Sequence, residues 1–301
     1  MPDATARELG EFGLIARVTE RLGGSAAVLV GPGDDAAVVA APDGRVVATT
    51  DVLVEGVHFR RDWSSAYDVG RKAAAASLAD VAAMGGTATA LLVGLAAPGE
   101  LPVSWAIGLA DGLRDESALV GAVVAGGDTV SSDRVVVSVS ALGDLAGRSP
   151  VLRSGARAGD LVVLAGELGR SAAGLALLQA GEREGPLVEA HRRPAPPYSL
   201  GPVLADLGAT AMCDVSDGLL ADLGHIATAS GVGVVVDGVP LPDGVDLEQA
   251  LTGGEDHALV ACLPAGTELP DGVRAIGRVE AGSGVTAVGF DSRTAGWEHF
   301  S

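Results

Sequence analysis

The sequence predicts an α/β protein with two domains. Short runs of β-branched residues alternate with longer Ala-rich stretches, a pattern typical of strands that alternate with helices. The chain has 301 residues, and a segment rich in Gly, Pro and Arg interrupts the alternation near its middle. A chain of this length can bury two cores of ordinary size.

The individual elements follow from the same alternation. The runs with strand character are 45–50, 134–140, 161–165 and 232–236. The stretches with helical character are 11–22, 66–84, 105–120, 171–180 and 218–229. Both halves of the chain therefore combine helices with strands.

A domain boundary is predicted in the irregular segment 143–159, because a new strand follows that segment at once. The predicted domains are 1–148 and 149–301. A second irregular stretch, 186–202, contains five prolines, and we expect it to form a long surface loop within the second domain.

Charge limits the classes of partner. There are 20 basic and 39 acidic residues, which give a formal net charge of −19 and argue against binding to nucleic acid or to an anionic membrane. Lys72 is the only lysine. Any polyphosphate bound by this chain must therefore be neutralised by metal ions or by arginines.

Cysteine usage and hydropathy indicate the compartment. Cys213 and Cys262 lie in apolar runs without a neighbouring Cys or His at metal-ligand spacing, so we expect buried, reduced thiols. The N-terminal residues are mixed and charged, and the longest apolar stretch is too short to cross a bilayer. These features predict a cytoplasmic protein.

Acidic residues follow apolar runs at several places, and this is the most informative feature of the sequence. In the first half they are Asp35, Asp51, Asp80 and Asp128. Asp51 is expected to end a strand beside Thr49 and Thr50, and hard cations take oxygen ligands of this kind. Asp80 lies in an Ala-rich helix, where a carboxylate either faces water or meets a cation.

The second half repeats this feature. The segment 213–220 is expected to form a strand, a tight turn and the start of a helix, with Ser216 or Asp217 as the N-cap. A helix N-terminus favours anions, so a phosphate group can dock there, although plain capping is an alternative. Each acidic motif alone is also an ordinary turn sequence. Their joint occurrence, which includes 253–256, favours a metal site.

Missing motifs narrow the chemistry. The chain contains no Gly-x-x-x-x-Gly-Lys-Ser/Thr loop, no His-Arg-Asp catalytic loop and no Gly-x-Gly-x-x-Gly after a strand. A phosphate site must therefore be built from Mg²⁺ held by carboxylates. A calcium-binding module without catalysis is the alternative from another class, and the spacing of an EF-hand is absent.

Taken in order, the motifs resemble the thiamine-monophosphate kinase family, whose superfamily includes aminoimidazole ribonucleotide synthetase and selenophosphate synthetase. The resemblance runs nearly from end to end. It rests on 10–17, Gly-Asp-Asp-Ala at 33–36, Thr-Thr-Asp at 49–51, 55–59, 78–85, Gly-Gly-Asp-Thr at 126–129, 153–156, 214–219, 222–226, Gly-Gly-Glu-Asp at 253–256 and 297–300.

The resemblance implies a fold and a reaction. The expected fold is α/β of the α+β type, with an N-terminal mixed-sheet domain that forms a dimer interface and a C-terminal α/β domain. The expected reaction is phosphorylation of thiamine monophosphate by ATP, by direct in-line transfer assisted by several Mg²⁺ ions. No general base is expected, because a phosphomonoester has a second pKa of about 6 and is largely deprotonated at neutral pH.

The resemblance also implies the site residues. The implied Mg²⁺ ligands are Asp35, Thr49, Thr50, Asp51, Asp80, Asp128, Asp214 and Asp217. The residues implied to contact ATP are Gly127, Asp128, Arg153 and Ser216. The residues implied to contact thiamine monophosphate are His58, Glu255 and Trp297.

Three positions depart from the family pattern. His257 stands where Tyr or Phe is usual, Ser77 stands where Asn is common, and Pro197 stands where a basic residue often follows the Pro-rich segment. These departures affect expected substrate contacts and leave the acidic motifs intact. Among superfamily alternatives, a selenophosphate synthetase would carry a reactive Cys near its start, and a hydrogenase-maturation dehydratase would end in a Cys-containing tail. Neither feature is present, and an aminoimidazole ribonucleotide synthetase remains open.

Overall fold

The computed structural model describes residues 4–30 and 37–290 and divides the chain into two compact units. The first unit comprises Met1–Val81 and Thr87–Ala146, and the second comprises Ala82–Gly86 and Gly147–Ser301. No helix in the described ranges is both long and apolar enough to cross a membrane.

The first unit contains a mixed sheet with helices beside it. Its elements are α1 (Ala6–Leu9), α2 (Glu11–Thr19), β1 (Val28–Val30), β2 (Val38–Val39), β3 (Val47–Val54), α3 (Ala66–Ala83), β4 (Thr87–Ala97), α4 (Val103–Ala118), β5 (Val123–Ser131) and β6 (Val136–Asp144). Four of these strands pair in the order β3-β6-β4-β5, and the pair β4–β5 is parallel whereas the other two pairs are antiparallel.

Burial alternates along β3 and β6, so one face of this sheet is covered and the other is more open. Helix α3 lies on the covered face. A Cβ atom at Gly143 would lie 2.4 Å from Val81 Cγ1, and the Ser77 hydroxyl oxygen lies 3.0 Å from the carbonyl oxygen of Val139. The face of β3 that carries Thr49 and Asp51 is therefore the face toward α3.

Helices α3 and α4 cross at glycines. A Cβ atom at Gly70 would lie 2.2 Å from the carbonyl oxygen of Leu109, and one at Gly112 would lie 2.1 Å from the carbonyl oxygen of Tyr67. Only glycine allows the two backbones to approach this closely. Beside the crossing, Arg71 pairs with the fully buried Glu116.

The second unit contains a larger, mainly antiparallel sheet. Its elements are β7 (Leu161–Ala165), α5 (Arg170–Gln179), α6 (Pro186–Arg192), α7 (Leu200–Asp206), β8 (Ala211–Asp214), α8 (Leu219–Ser230), β9 (Gly233–Val236), α9 (Leu247–Thr252), β10 (Leu259–Leu263), β11 (Val273–Glu280) and β12 (Gly284–Ala287). Six strands pair in the order β12-β9-β11-β7-β10-β8. Strands β8 and β10 are buried along their whole length, which places Asp214 at the end of a strand inside the core.

The predicted helices and strands are present, each shifted by a few residues at most. Two expectations are wrong. The stretch 186–202 is not one long loop, because it contains α6 and the start of α7. Pro186 occupies the beginning of α6, where a missing N–H costs nothing. Asp51 does not end its strand, because β3 continues to Val54.

Candidate active site

In the first unit, β3 and α3 bring three predicted metal ligands, Thr49, Asp51 and Asp80, into two hydrogen-bonded pairs. The Thr49 hydroxyl donates to Asp80 Oδ2 at 2.5 Å, and the Ser77 hydroxyl donates to Asp51 Oδ2 at 2.7 Å. Ser77 is fully buried. Each carboxylate is thus oriented by a neutral hydroxyl, and the donor set consists of oxygen atoms only, as a hard cation requires.

Two other predicted residues of this unit, Thr50 and Asp128, hydrogen-bond to other partners. Thr50 is exposed, and its Oγ1 accepts a hydrogen bond from the Ser140 hydroxyl at 3.0 Å. Asp128 is exposed inside β5, and its Oδ1 accepts the N–H of Thr129 at 2.8 Å. A Cβ atom at Gly127 would lie 2.0 Å from the carbonyl oxygen of Val93, so this position requires glycine.

His58 lies in the turn that follows β3, and its ring is fixed by the backbone. The N–H of Val54 donates to His58 Nδ1 at 3.0 Å, which makes Nδ1 an acceptor and leaves the proton of a neutral ring on Nε2. The ammonium group of Lys72 donates to the carbonyl oxygen of His58 at 3.3 Å, and Lys72 is only 4% exposed. The single lysine therefore supports the turn that carries His58.

In the second unit, Asp214 is buried and paired with a histidine. Its Oδ2 lies 2.9 Å from Nδ1 of His257, which is itself buried. The residues Glu255 and His257 both have positive φ angles, +67° and +53°. Such angles are uncommon outside glycine, so the loop that carries these residues is held in an unusual conformation.

The turn after β8 is organised by a carboxylate that the sequence did not reveal. Asp222 Oδ2 accepts the backbone N–H groups of Ser216, Asp217 and Gly218 at 3.1–3.2 Å. The N-cap of α8 is Gly218, so the prediction that Ser216 or Asp217 caps the helix is wrong. These N–H groups already donate to a carboxyl group of the protein itself.

Asp222 is only 1% exposed, and desolvation, together with the nearby charge of Asp214, raises its pKa to about 7. The backbone donors oppose this shift without cancelling it. Two buried carboxylates therefore lie close together in this unit, and a bound cation would offset their mutual repulsion.

Asp222→Asn should remove a pH dependence of stability. Because the pKa of Asp222 is raised from 3.8 to about 7, the folded state keeps this proton to a higher pH than the unfolded chain does. Its contribution to stability is present at acid pH and is lost as the pH rises from about 4 through 7, by on the order of 4 kcal/mol. Urea unfolding in EDTA at several pH values measures the difference between the two proteins, and parallel profiles would contradict the assignment.

Glu255 and Asp256, which belong to the acidic motif at 253–256, contact helices α6 and α5. Glu255 Oε2 lies 3.8 Å from Nδ1 of the buried His191. Asp256 accepts the N–H groups of Gly169 and Ser171 at 2.6 and 2.8 Å and so caps α5. Burial raises the pKa of Asp256 to about 6. Its carboxylate is structural.

Arg153 is exposed, and its carbonyl oxygen accepts the hydroxyl of Ser230 at 3.1 Å. Asp35 and Trp297 lie outside the described residues. Within the described ranges, no group of three or more His, Cys, Asp or Glu side chains is close enough to hold a metal ion. In the first unit Asp51 and Asp80 are each paired with a hydroxyl group, and in the second unit Asp214 is paired with His257. The oxygen chemistry of these carboxylates fits Mg²⁺.

A cavity of about 280 Å³ opens beside Asp256 in the second unit. Its lining includes Arg170, Glu189, Arg193 and Pro197. Both guanidinium groups in the lining pair with carboxylates. Pro197, where the resemblance implies a basic residue, therefore lies on a cavity wall.

Two protein-family models match the chain. The model for the AIR synthase related protein, N-terminal domain, matches residues 33–145, and the model for the AIR synthase related protein, C-terminal domain, matches residues 157–289. These ranges cover most of the sequence and define an AIR synthase related protein. The predicted two-domain α/β fold, similar to aminoimidazole ribonucleotide synthetase, is confirmed.

Individual relatives narrow the class. A thiamine-monophosphate kinase from Mycobacterium tuberculosis is 50% identical over an alignment of 312 positions. The alignment covers 98% of this chain and 93% of the relative. The crystal structure of thiamine-monophosphate kinase from Stenotrophomonas maltophilia aligns with a TM-score of 0.79 at 33% identity, over 92% of this chain and 94% of that one. The chain belongs to the thiamine-monophosphate kinase family.

A further solved structure, AaThiL complexed with AMPPCP and TMP, contains ligands. It aligns with a TM-score of 0.79 at 32% identity over 98% of both chains. The similarity extends over both units of the present chain.

Proposed function

We propose that this protein transfers the γ-phosphoryl group of ATP to thiamine monophosphate and so produces thiamine diphosphate. The observation that carries the proposal is the 50% identity, across 98% of the chain, to a thiamine-monophosphate kinase. The relative with bound AMPPCP, an ATP analogue with a non-hydrolysable link, and TMP supports the same pair of substrates.

We assign Mg²⁺ binding to Asp35, Thr49, Thr50, Asp51, Asp80, Asp128, Asp214 and Asp217. The support is chemical. Thr49 and Ser77 orient two carboxylates in the first unit, and Asp214 is a buried acid beside a second buried acid in the other unit. Bound Mg²⁺ would supply positive charge against the phosphates of both substrates.

The residues of the chain then bind and orient the substrates. Gly127, Asp128, Arg153 and Ser216 are assigned to ATP, and Arg153 is suited to a phosphate because its guanidinium is exposed. His58, Glu255 and Trp297 are assigned to thiamine monophosphate.

The fixed ring of His58 is suited to donate from Nε2 to an anionic acceptor. No side chain needs to remove a proton, because the acceptor phosphate is already deprotonated at neutral pH. Direct in-line transfer without a phosphoenzyme follows, and rapid-quench trapping of a protein-bound phosphate during turnover would contradict it.

The proposal includes a homodimer formed through the first unit, located in the cytoplasm. The open face and edges of the four-stranded sheet carry large apolar side chains. Val46, Val52, Leu92 and Val130 are 50%, 47%, 37% and 53% exposed. A second copy of the same face would cover them.

A coupled assay tests the function. ATP and Mg²⁺ are supplied with thiamine monophosphate and, separately, with free thiamine. We expect ADP release and thiamine diphosphate only with the monophosphate, because the acceptor must provide a deprotonated phosphate oxygen. Activity with free thiamine, or no activity with the monophosphate, would overturn the proposal.

A further inference from the structure

The loop 253–258 is bound to the turn after β8 by backbone contacts. The N–H of Glu255 donates to the carbonyl oxygen of Ser216 at 2.8 Å, and the N–H of His257 donates to the carbonyl oxygen of Val215 at 3.0 Å. A Cβ atom at Gly254 would lie 2.2 Å from the carbonyl oxygen of Ser216. The position of His257 relative to Asp214 is therefore set by the backbone.

The side chains of His257 and Asp214 meet in the interior. His257 is 7% exposed and Asp214 is 3% exposed. Because an ionised carboxylate only accepts hydrogen bonds, the 2.9 Å contact requires that His257 Nδ1 donates its proton to Asp214 Oδ2. Among the residues the structure describes, His257 is the one side chain that hydrogen-bonds to this carboxylate.

The hydrogen bond from His257 restrains the carboxylate of Asp214, which could otherwise adopt several rotamers. A carboxylate at a strand end rotates about two side-chain bonds and so has several rotamers. A donor fixed on one oxygen sets the orientation of the other. Hydrogen bonds to metal-ligating groups are known to tune metal affinity in this manner.

We propose that His257 is a positioning residue, which holds the carboxylate of Asp214 by one oxygen in the orientation that binds a divalent cation. This inference rests on the proposed role of Asp214 as an Mg²⁺ ligand. It assigns a role to a position where the chain departs from the family pattern of Tyr or Phe. A phenylalanine at this position would offer no hydrogen-bond donor. A tyrosine would offer its hydroxyl group, which lies further from the backbone than His257 Nδ1 does.

Three variants test the inference by direct cation binding. His257→Leu removes the donor but keeps an apolar body of similar size. His257→Asn keeps an amide N–H close to the position of Nδ1, and Asn tolerates a positive φ. Thr210→Ala is the structural control, because it removes a 2.7 Å hydrogen bond to Asp160 in the same unit without touching Asp214.

Binding of Mn²⁺, followed by electron paramagnetic resonance in the absence of nucleotide, provides a readout that does not depend on activity. Mn²⁺ binding to the Asp214→Asn variant is measured first, and the binding step that this variant weakens is assigned to Asp214. We expect His257→Leu to weaken the same step by about 10-fold, as is usual for groups that orient a metal ligand. His257→Asn should recover most of this loss, and Thr210→Ala should lower the melting temperature with unchanged Mn²⁺ binding.

The outcomes separate the two proposals. If His257→Leu binds Mn²⁺ as the unmodified protein does, or if His257→Asn loses as much as His257→Leu, the positioning role is wrong. If Asp214→Asn leaves every Mn²⁺ binding step unchanged, the ligand role of Asp214 fails, and the positioning role fails with it. Absence of thiamine monophosphate phosphorylation in the unmodified protein would overturn the proposed function while the Mn²⁺ measurements remain interpretable.

Discussion

Asp51→Asn should lower kcat for phosphorylation of thiamine monophosphate by about 1,000-fold while the protein stays folded. Asp51 lies inside β3, and its Oδ2 accepts the hydroxyl of the buried Ser77 at 2.7 Å. An asparagine keeps the size of the side chain but loses the negative charge that a divalent cation needs. A loss of about 4 kcal/mol of transition-state stabilisation corresponds to this factor.

Initial rates at several Mg²⁺ concentrations, with circular dichroism melts, measure the effect of Asp51→Asn. Asp62→Asn is the matched control, because Asp62 is more than half exposed and pairs with Arg60 at 2.7 Å on the surface. It removes the same charge from the same unit, and we expect it to leave the rate within about twofold, since exposed ion pairs contribute little. Normal turnover in purified Asp51→Asn protein would refute the assignment.

Gly112→Ala should destabilise the first unit by about 3 kcal/mol. The new Cβ atom would lie 2.1 Å from the carbonyl oxygen of Tyr67 and 3.0 Å from the backbone nitrogen of Arg71. Backbone atoms cannot rotate away, so α3 and α4 must separate, and overpacking of this kind costs about 1–3 kcal/mol or more. Separation also stretches the pair between Arg71 and the buried Glu116.

Urea unfolding at fixed pH measures the cost of Gly112→Ala. Gly224→Ala is the control, because Gly224 lies inside α8 and a Cβ atom there would meet nothing within 4 Å. The same substitution at Gly224 should stabilise by about 0.5–1 kcal/mol through helix propensity alone. Equal effects of the two substitutions would show that the helix crossing tolerates a methyl group. Because α3 also carries Ser77 and Asp80, we expect Gly112→Ala to reduce activity as well.

The sequence predicted about half of the elements of the fold, five helices and five strands including the one in 213–220, and the strands that it missed include β4 and β5. Both contain alanine and glycine among their apolar residues, as in Thr87–Ala97, so the usual enrichment in β-branched residues is weak. Short apolar runs of this composition do not distinguish a strand from a buried helix. Their strand character depends on pairing between separate segments, because β4 pairs with β5 and with β6, each of which lies more than 20 residues further along the chain.

Within the site, the sequence indicated the acidic residues but not what holds them. Spacing alone cannot show that Ser77 orients Asp51, that Asp222 binds the turn after β8, or that Asp256 caps α5 from 85 residues away. These contacts arise only when distant segments pack together. In the sequence Asp256 is part of an acidic motif that favours a metal site, whereas its carboxylate accepts the N–H groups at the start of α5.

The only lysine of the chain is 4% exposed, and its ammonium group hydrogen-bonds to the carbonyl oxygen of His58. The other residues of the Lys and Arg type are all arginines. Their guanidinium groups do not react with acylating agents under mild conditions. Acetyl donors and amine-reactive dyes would therefore find no accessible lysine on the folded protein. Labelling at Lys72 would report opening of the turn that carries His58, which makes this residue a chemical probe of local unfolding.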